Sequence, residues 1–343
     1  MNKFSIGVDL GGTNLRIAAV DDQGALEEKV TLGTKVSRGR DYVIADMCDA
    51  IQRLSDKYGT SAQLLGIGIG VPGIIDMQTG LVRESPNLPD WVDYPARAAI
   101  EQRLKTVVIL ENDANVAALG EKWLGAAKDY SDVAMLTLGT GVGGGLVLNG
   151  AIWCGANGMA GELGHTTVEP DGHPCGCGNR GCLEQYASAT AIVRMAREAI
   201  ARGGASALAS AANSDPEFSA KSLYNLAIQG DEDARRIFRY VGRCLGIVLS
   251  NMVNSLNLPI YVIGGGASAA WEAFSPTMFE ELRLRSLVYA ATAPPDPSAT
   301  QQGASAHVKA GPGHKTIITR ALLGSDAGLY GAARLPMIAE AKR

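Results

Sequence analysis

Three of the chain's six cysteines fall within eight residues, in the run Cys175-Gly176-Cys177-Gly178-Asn179-Arg180-Gly181-Cys182. His165 stands ten positions upstream, and a carboxylate flanks the group at each end, Glu162 and Glu184. Three thiolates and an imidazole form one of the closed tetrahedral sets that hold structural zinc. Glycine between the ligands lets a short loop turn its thiolates onto one point, because glycine tolerates positive φ. Other readings stay open at this stage. Cys175 and Cys177 could be a Cys-x-Cys redox pair. A disulfide would suit a secreted chain, but no signal peptide is expected here and these two cysteines are close for pairing. His173 is a second candidate ligand. It lies in Asp171-Gly172-His173-Pro174, which reads as a turn, so His165 is preferred.

Two glycine turns offer a different chemistry. Asp9-Leu10-Gly11-Gly12-Thr13-Asn14 and Gly139-Thr140-Gly141-Val142-Gly143-Gly144-Gly145 each follow a strand-like run. Converging backbone N–H groups bind phosphate, and glycine lets the main chain approach it. The first turn adds the Thr13 hydroxyl, the Asn14 amide, the Arg16 cation and the Asp9 carboxylate, which could hold Mg²⁺ through water. Neither turn is a P-loop, which ends in Gly-Lys-Ser/Thr and opens a helix, nor a Rossmann fingerprint, since a strand follows each. Each taken singly could be only a tight hairpin. A third run, Gly264 to Gly266, follows another strand. Its middle residue, Gly265, suits the base or ribose end of a nucleotide, where a side chain would intrude.

A third constellation sits where a short apolar strand gives way to a helix, at Glu111-Asn112-Asp113. Either polar residue could merely cap the helix. Strand ends in α/β sheets also line ligand crevices. There Asp113 could take the proton of a substrate hydroxyl attacking a γ-phosphate, with Asn112 orienting that hydroxyl.

These groups need elements to carry them. Alternation predicts strands at Phe4–Asp9, Leu15–Val20 and Leu26–Leu32, a meander around the first turn. Helical spacing follows at Tyr42–Tyr58, then a strand at Leu64–Val71, a loop from Asp76 to Trp91, a strand at Val107–Leu110 and a helix at Val116–Trp123. The strand–turn–strand pattern returns at Val133–Leu138, Leu146–Leu148 and Ala151–Cys154, which suggests duplicated domains facing each other across a cleft. Downstream, Ala187–Arg202 and Asp231–Leu256 read as amphipathic helices and Pro259–Ile263 as a strand. Ala290 to Gly313 reads as a mobile surface loop, and Ala327–Ala341 as a closing helix that returns to the first domain. The expected division is 1–111 plus 327–343 for the smaller lobe and 112–326 for the larger.

Composition narrows the class. A chain of 343 residues with 46% hydrophobic content is an ordinary globular chain of about two domains. A net charge of −4 gives no electrostatic footprint for nucleic acid or an anionic membrane. Cys48, Cys154 and Cys244 read as buried, inert thiols, and the whole points to the cytoplasm.

Together these motifs resemble the ROK family of sugar kinases and repressors. The resemblance rests on Asp-x-Gly-Gly-Thr, Glu-Asn-Asp, Leu-Gly-Thr-Gly-x-Gly-Gly-Gly and Gly-His followed by Cys-x-Cys-Gly-x-x-Gly-Cys-x-Glu, in that order along nearly the whole chain. It implies an actin-like (ribonuclease H-like) α/β fold of two lobes around a central cleft. It implies Asp113 as catalytic base, with sugar hydroxyls held by Asn112, Glu162, His165 and Glu184 and with Gly73, Ser85 and Asn87 nearby. Zinc would sit on His165, Cys175, Cys177 and Cys182. ATP phosphates would meet Gly12, Thr13, Asn14, Thr140 and Gly141, and a homodimer is usual for the family. Repressor members carry a DNA-reading domain ahead of the first glycine turn, for which only a short strand is seen before Asp9. Ser85-Pro86-Asn87-Leu88-Pro89 resembles the glucokinase form of its loop. The expected activity is therefore ATP-dependent phosphorylation of glucose. Another hexose or an N-acylhexosamine as substrate, polyphosphate as donor, and a non-catalytic sugar sensor are the alternatives.

Overall fold

The computed structural model describes residues 2–294 and 315–342. The opening meander forms as the alternation predicts. β1 (Lys3–Leu10), β2 (Asn14–Asp21) and β3 (Leu26–Gly33) pair antiparallel in sequence order. After α1 (Arg40–Gly59), β4 (Gln63–Val71) joins β1 in parallel. The sequence predicts a single loop over Asp76–Trp91. Instead β5 (Ile74–Asp76) and β6 (Leu81–Glu84) make a hairpin, closed by Asp76 Oδ1 accepting the N–H groups of Gln78 and Thr79. Then come α2 (Ala96–Leu104), β7 (Val108–Asn112) parallel to β4, and α3, which begins at Asp113 and ends at Trp123. The second meander is β8 (Val133–Leu138), β9 (Val142–Leu148) and β10 (Ala151–Ile152).

The later half is mostly helical. α4 (Glu184–Ala187) and α5 (Ala189–Arg202) are separate because Ser188 is extended and caps α5, its side chain accepting Ala191 N–H. There follow α6 (Ser206–Ser214), α7 (Ala220–Gln229) and α8 (Glu232–Leu256), then β11 (Ile260–Gly264), α9 (Trp271–Arg285) and α10 (Leu287–Thr292). The first residues of the expected surface loop, from Ala290 to Thr292, are thus helical, and its residues 295–313 lie outside the described residues. β12 (Ile317–Arg320) pairs parallel with β11, and α11 (Ala327–Ala341) closes the chain.

The two sheets run β3-β2-β1-β4-β7 and β10-β9-β8-β11-β12. Numbered within each half, both read 3-2-1-4-5, so the duplication expected from the glycine turns is a duplication of sheet topology. This is the actin-like, ribonuclease H-like arrangement. β1 shows how period-2 alternation positions chemistry. Phe4, Ile6 and Val8 point into the core shared with α1, wholly buried. The opposite face carries Gly7, whose absent side chain admits the Leu329 carbonyl of α11, and Asp9, whose carboxylate lies against Gly328.

The chain divides into two compact units. One comprises Met1–Met135, Gly145–Gly161 and Ala321–Arg343, the other Leu136–Gly144 and Glu162–Arg320. The 111/112 boundary expected from the sequence falls within the first unit. α3 belongs there because it packs backbone to backbone on α11. A side chain at Gly120 would collide with the Ala327 carbonyl, and one at Gly331 with that of Val116.

Candidate active site

The first glycine turn is a tight loop held from within. Gly11 N–H donates to Asn14 O at 2.9 Å, and the Thr34 hydroxyl donates to Gly11 O at 2.6 Å. Thr13 and Asn14 are exposed. Asp9 stands opposite Arg16 in the β1–β2 register, and the pair meets at 2.9 Å. Burial pushes the Asp9 carboxyl above its ordinary value, and Arg16 offsets this only in part. A carboxylate held at a desolvation cost is a group suited to a further cation, so the residues present fit Mg²⁺.

At the end of β7, Asn112 does what the bland reading allows. Its Oδ1 caps α3, accepting Ala114 N–H at 2.9 Å and Asn115 N–H at 3.2 Å. Its Nδ2 donates to Gly73 O at 3.2 Å, which ties the strand end to the β4–β5 turn. Asp113 is the first residue of α3, half-buried, with Oδ1 accepting Ala114 N–H at 2.8 Å. Gly73 is at φ 110°, and a side chain there would collide with Glu84 O. Beside it the buried Ser85 hydroxyl has no hydrogen-bond partner among the described residues. Asn87 closes the group from the other side, its Cβ 3.0 Å from where a Gly12 side chain would begin. Within the first unit the structure therefore gathers Gly73, Ser85 and Asn112, and seats Asn87 on the first glycine turn.

Sequence reasoning gave Glu111 no role, yet it is buried and organises this strand end. Its Oε1 accepts Asn112 N–H at 2.9 Å and Asn115 Nδ2–H at 3.0 Å, and Oε2 lies 3.6 Å from Cys154 Sγ. Burial raises both the Glu111 carboxyl and the Cys154 thiol, the latter to about 12. Cys154 is half-buried rather than buried, but at that value it is an inert thiol as expected. The available signal was a carboxylate inside an otherwise apolar strand.

The second glycine turn is shorter than its seven-residue run suggests. Only Gly139–Gly141 turns, and Val142 already belongs to β9. The later glycines serve packing: a side chain at Gly145 would come within 2.6 Å of Ala114 O in α3. The turn is fixed to the start of α5 by Ala189 N–H to Gly139 O (2.8 Å) and the Thr190 hydroxyl to Thr140 O (2.8 Å). Glu184, assigned to the sugar, packs its carboxylate on Gly141 and accepts Val142 N–H through Oε2 at 3.0 Å. Gly265 joins the same place. At φ 82° it lies over Leu138, where a side chain would start 2.5 Å from the Leu138 carbonyl.

His165, Cys175, Cys177 and Cys182 converge, with their four ligand atoms all within 4.8 Å of one another. His165 Nδ1 is 3.6 Å from Cys175 Sγ, and Cys177 Sγ is 3.7 Å from Cys182 Sγ. Ligand bonds of ~2.3 Å to sulfur and ~2.0 Å to nitrogen at tetrahedral angles give S···S and N···S edges of about 3.8 and 3.5 Å. A disulfide would need its sulfurs ~2.05 Å apart. His173 lies outside the group, its Nδ1 at 2.9 Å from Pro174 O. The knuckle is built by Cys175 N–H donating to Asn179 O (2.8 Å) and by Gly181 at φ 70°, where a side chain would overlap Glu169 O. With Nδ1 turned to the thiols, His165 Nε2 faces Glu162, 3.8 Å from its Oε2.

The chain matches the model of the ROK family over residues 5–337. It is 43% identical over 267 residues to a glucokinase of Thermotoga maritima, an alignment covering 78% of this chain and 83% of that one. It is 41% identical over 271 residues to a glucokinase of Halalkalibacterium halodurans, covering 78% and 82%. A crystal structure of a ROK family glucokinase from Streptomyces griseus in complex with glucose and AMPPNP superposes with a TM-score of 0.73 at 31% identity, covering 97% of this chain and 98% of that one. The duplicated sheets, the glycine turns, the strand-end carboxylate and the Cys₃His knot thus belong to one recognised whole: this chain is a member of the ROK family.

Proposed function

We propose that this protein is a glucokinase, which transfers the γ-phosphoryl group of ATP to the 6-hydroxyl of glucose. The observation that carries the reading is the strand end of β7, where Asp113 opens α3 beside the Gly73–Ser85 group, together with 41–43% identity to two glucokinases. Asp113 is the general base. It takes the proton of the attacking hydroxyl as the new O–P bond forms and ADP departs with the electrons of the old one. Asn112 holds the cap that orients Asp113, and its Nδ2 reaches the sugar side through Gly73.

The orphaned Ser85 hydroxyl and the Asn87 amide are assigned to sugar hydroxyls, as are Glu162, His165 Nε2 and the second oxygen of Glu184. Gly11, Gly12, Thr13, Asn14 and Arg16 in the first turn, with Thr140 and Gly141 in the second, receive the phosphates. Gly265 leaves room for the nucleoside. Asp9 would hold Mg²⁺ through water, where the ion would neutralise charge on the phosphates. Zinc on His165, Cys175, Cys177 and Cys182 is structural, since four protein ligands leave no position for water. His165 would hold the ion through Nδ1, the ring nitrogen that faces Cys175, which would leave Nε2 directed away from it.

Among the described residues no helix is long and apolar enough to cross a membrane, and the six cysteines are free. We place the protein in the cytoplasm and, by its family, as a homodimer. A coupled ADP-release assay over glucose, mannose, fructose and N-acetylmannosamine, run with ATP and with polyphosphate, tests the reading. Glucose with ATP is expected to give the highest kcat/KM. No ADP release with any sugar would leave the sensor alternative standing.

A further inference from the structure

We propose that Glu121 is a positioning residue for phosphoryl transfer: its buried carboxylate fixes the entry of α11 against the end of α3 and thereby sets Asp9 relative to Asp113. The inference rests on the roles given above to those two aspartates. Glu121 lies on the last turn of α3 and is fully buried. A carboxylate in that position is costly unless its oxygens are hydrogen-bonded. Here Oε2 accepts the N–H groups of Ala126 at 2.7 Å and Leu322 at 3.1 Å, and Oε1 accepts that of Leu323 at 2.8 Å. Three donors reaching both oxygens call for a group that only accepts. Glutamine would turn an N–H₂ toward one of them.

What Glu121 grips matters as much as how. Leu322 and Leu323 lead from β12 into the 3₁₀ turn Gly324–Asp326, which delivers the chain to α11. Leu322 itself is largely exposed, so its backbone rather than its side chain holds it in place. The second residue of α11, Gly328, meets the Asp9 carboxylate. A Cβ at Gly328 would stand 3.3 Å from Asp9 Cγ, so Asp9 rests directly on this turn of helix. At the other end of α3, Gly70 brings β4 within 3.5 Å of the Asp113 Cα, measured from the position of a Gly70 Cβ. The glycine contacts Gly120–Ala327 and Gly331–Val116 lock α3 to α11 between these ends. Glu121 is eight residues, or ~12 Å of helix, from Asp113. It acts through the frame and touches no reacting atom.

The test compares the parent with Asp113→Asn, Glu121→Gln and Leu323→Pro, each assayed well below its own Tm. Glu121→Gln is expected to lower kcat about 10–100-fold, since a displacement near 1 Å costs up to ~10²-fold. Its glucose KM should stay within about twofold, while the Mg²⁺ concentration for half-maximal rate rises severalfold. Leu323→Pro removes one donor at a residue whose φ of −79° already suits proline, and leaves Glu121 intact. It should shift the same quantities less. A lowered Tm with parental kcat and parental Mg²⁺ dependence would make Glu121 structural only and overturn the proposal. If Glu121→Gln does not fold, Leu323→Pro decides alone. If Asp113→Asn is itself as active as the parent, it is the base assignment that has failed.

Discussion

Replacing Asp113 by asparagine separates its chemical role from its structural one. Asp113 Oδ1 accepts Ala114 N–H at 2.8 Å, and the Asn112 cap supplies α3 with two further bonds. An asparagine carbonyl can keep the bond to Ala114, and it matches the side chain in volume. The substitution should therefore leave Tm within about 2 °C, as for a half-buried position whose hydrogen bond survives. What it removes is the ability to take a proton. General-base help is worth ~10²–10⁴-fold, and at ~1.36 kcal/mol per decade this is about 2.7–5.4 kcal/mol of transition-state stabilisation. Glucose binding, read by calorimetry without ATP, should change by less than about threefold, because the cap and the Gly73 contact are untouched. The expected kinetic signature is thus a kcat at or below about one hundredth of parental with KM nearly constant. A variant that keeps more than a tenth of parental kcat refutes the assignment, and a folded variant that no longer binds glucose would make Asp113 a binding group instead.

Two further outcomes concern the Cys₃His group and Asp9. Cys182→Ser should release one zinc per chain, measured by elemental analysis, and cost glucose affinity about 10–100-fold by freeing the His165 ring; a metal-free variant with parental KM would remove zinc from any role in the sugar site. Asp9→Asn should be more stable than the parent at neutral pH and yet lose kcat by about 10²-fold. The sign follows from burial raising the folded-state pKa of Asp9 above 3.8. The folded state then keeps the proton more readily than the unfolded one, so Asp9 detracts from stability once the pH passes through that raised value and does not below 3.8. Thermal melts should therefore show the two proteins converging as the pH falls, and a parent more stable than the variant at pH 7 would contradict the reasoning.

The strands of the first sheet were legible because β1, with one face on α1, alternates as Phe4, Ile6 and Val8 do, and those of the second were legible except β12, a four-residue edge strand that the sequence reading passed over. The Cys₃His knot was legible because few other arrangements use those residues at that spacing. The second glycine run was misread as a long turn for a physical reason. Glycine is demanded equally by a turn and by a strand that a helix crosses closely, and Gly145 beneath Ala114 is the latter. The β5–β6 hairpin was hidden because its closure depends on one carboxylate, Asp76, folding back on the chain. Glu121 was invisible as an organiser since its partners are backbone N–H groups, which leave no mark in the sequence. The attachment of α3 to α11 was equally hidden: it depends on Gly120 and Gly331 meeting carbonyls some 200 residues distant in the chain.

Of the two glycine turns that the duplicated sheet places after its first strand, only one carries an acid. Asp9 lies two residues before Gly11, and the corresponding residue before Gly139 is Thr137. In the first copy the acid is balanced by Arg16 across the hairpin and rests on α11. In the second copy the charge arrives from outside the hairpin, as Glu184, and its Oε2 is engaged by Val142 N–H. A second carboxylate at Thr137 would add a like charge to a turn that Glu184 already serves, and β9, Val142–Leu148, carries no cation of its own. The first hairpin thus pairs its own acid with a cation, and the second meets an acid that α4 brings to it. The Glu184 contact is the point at which the second copy's turn is joined to the chain leading out of the Cys₃His knot.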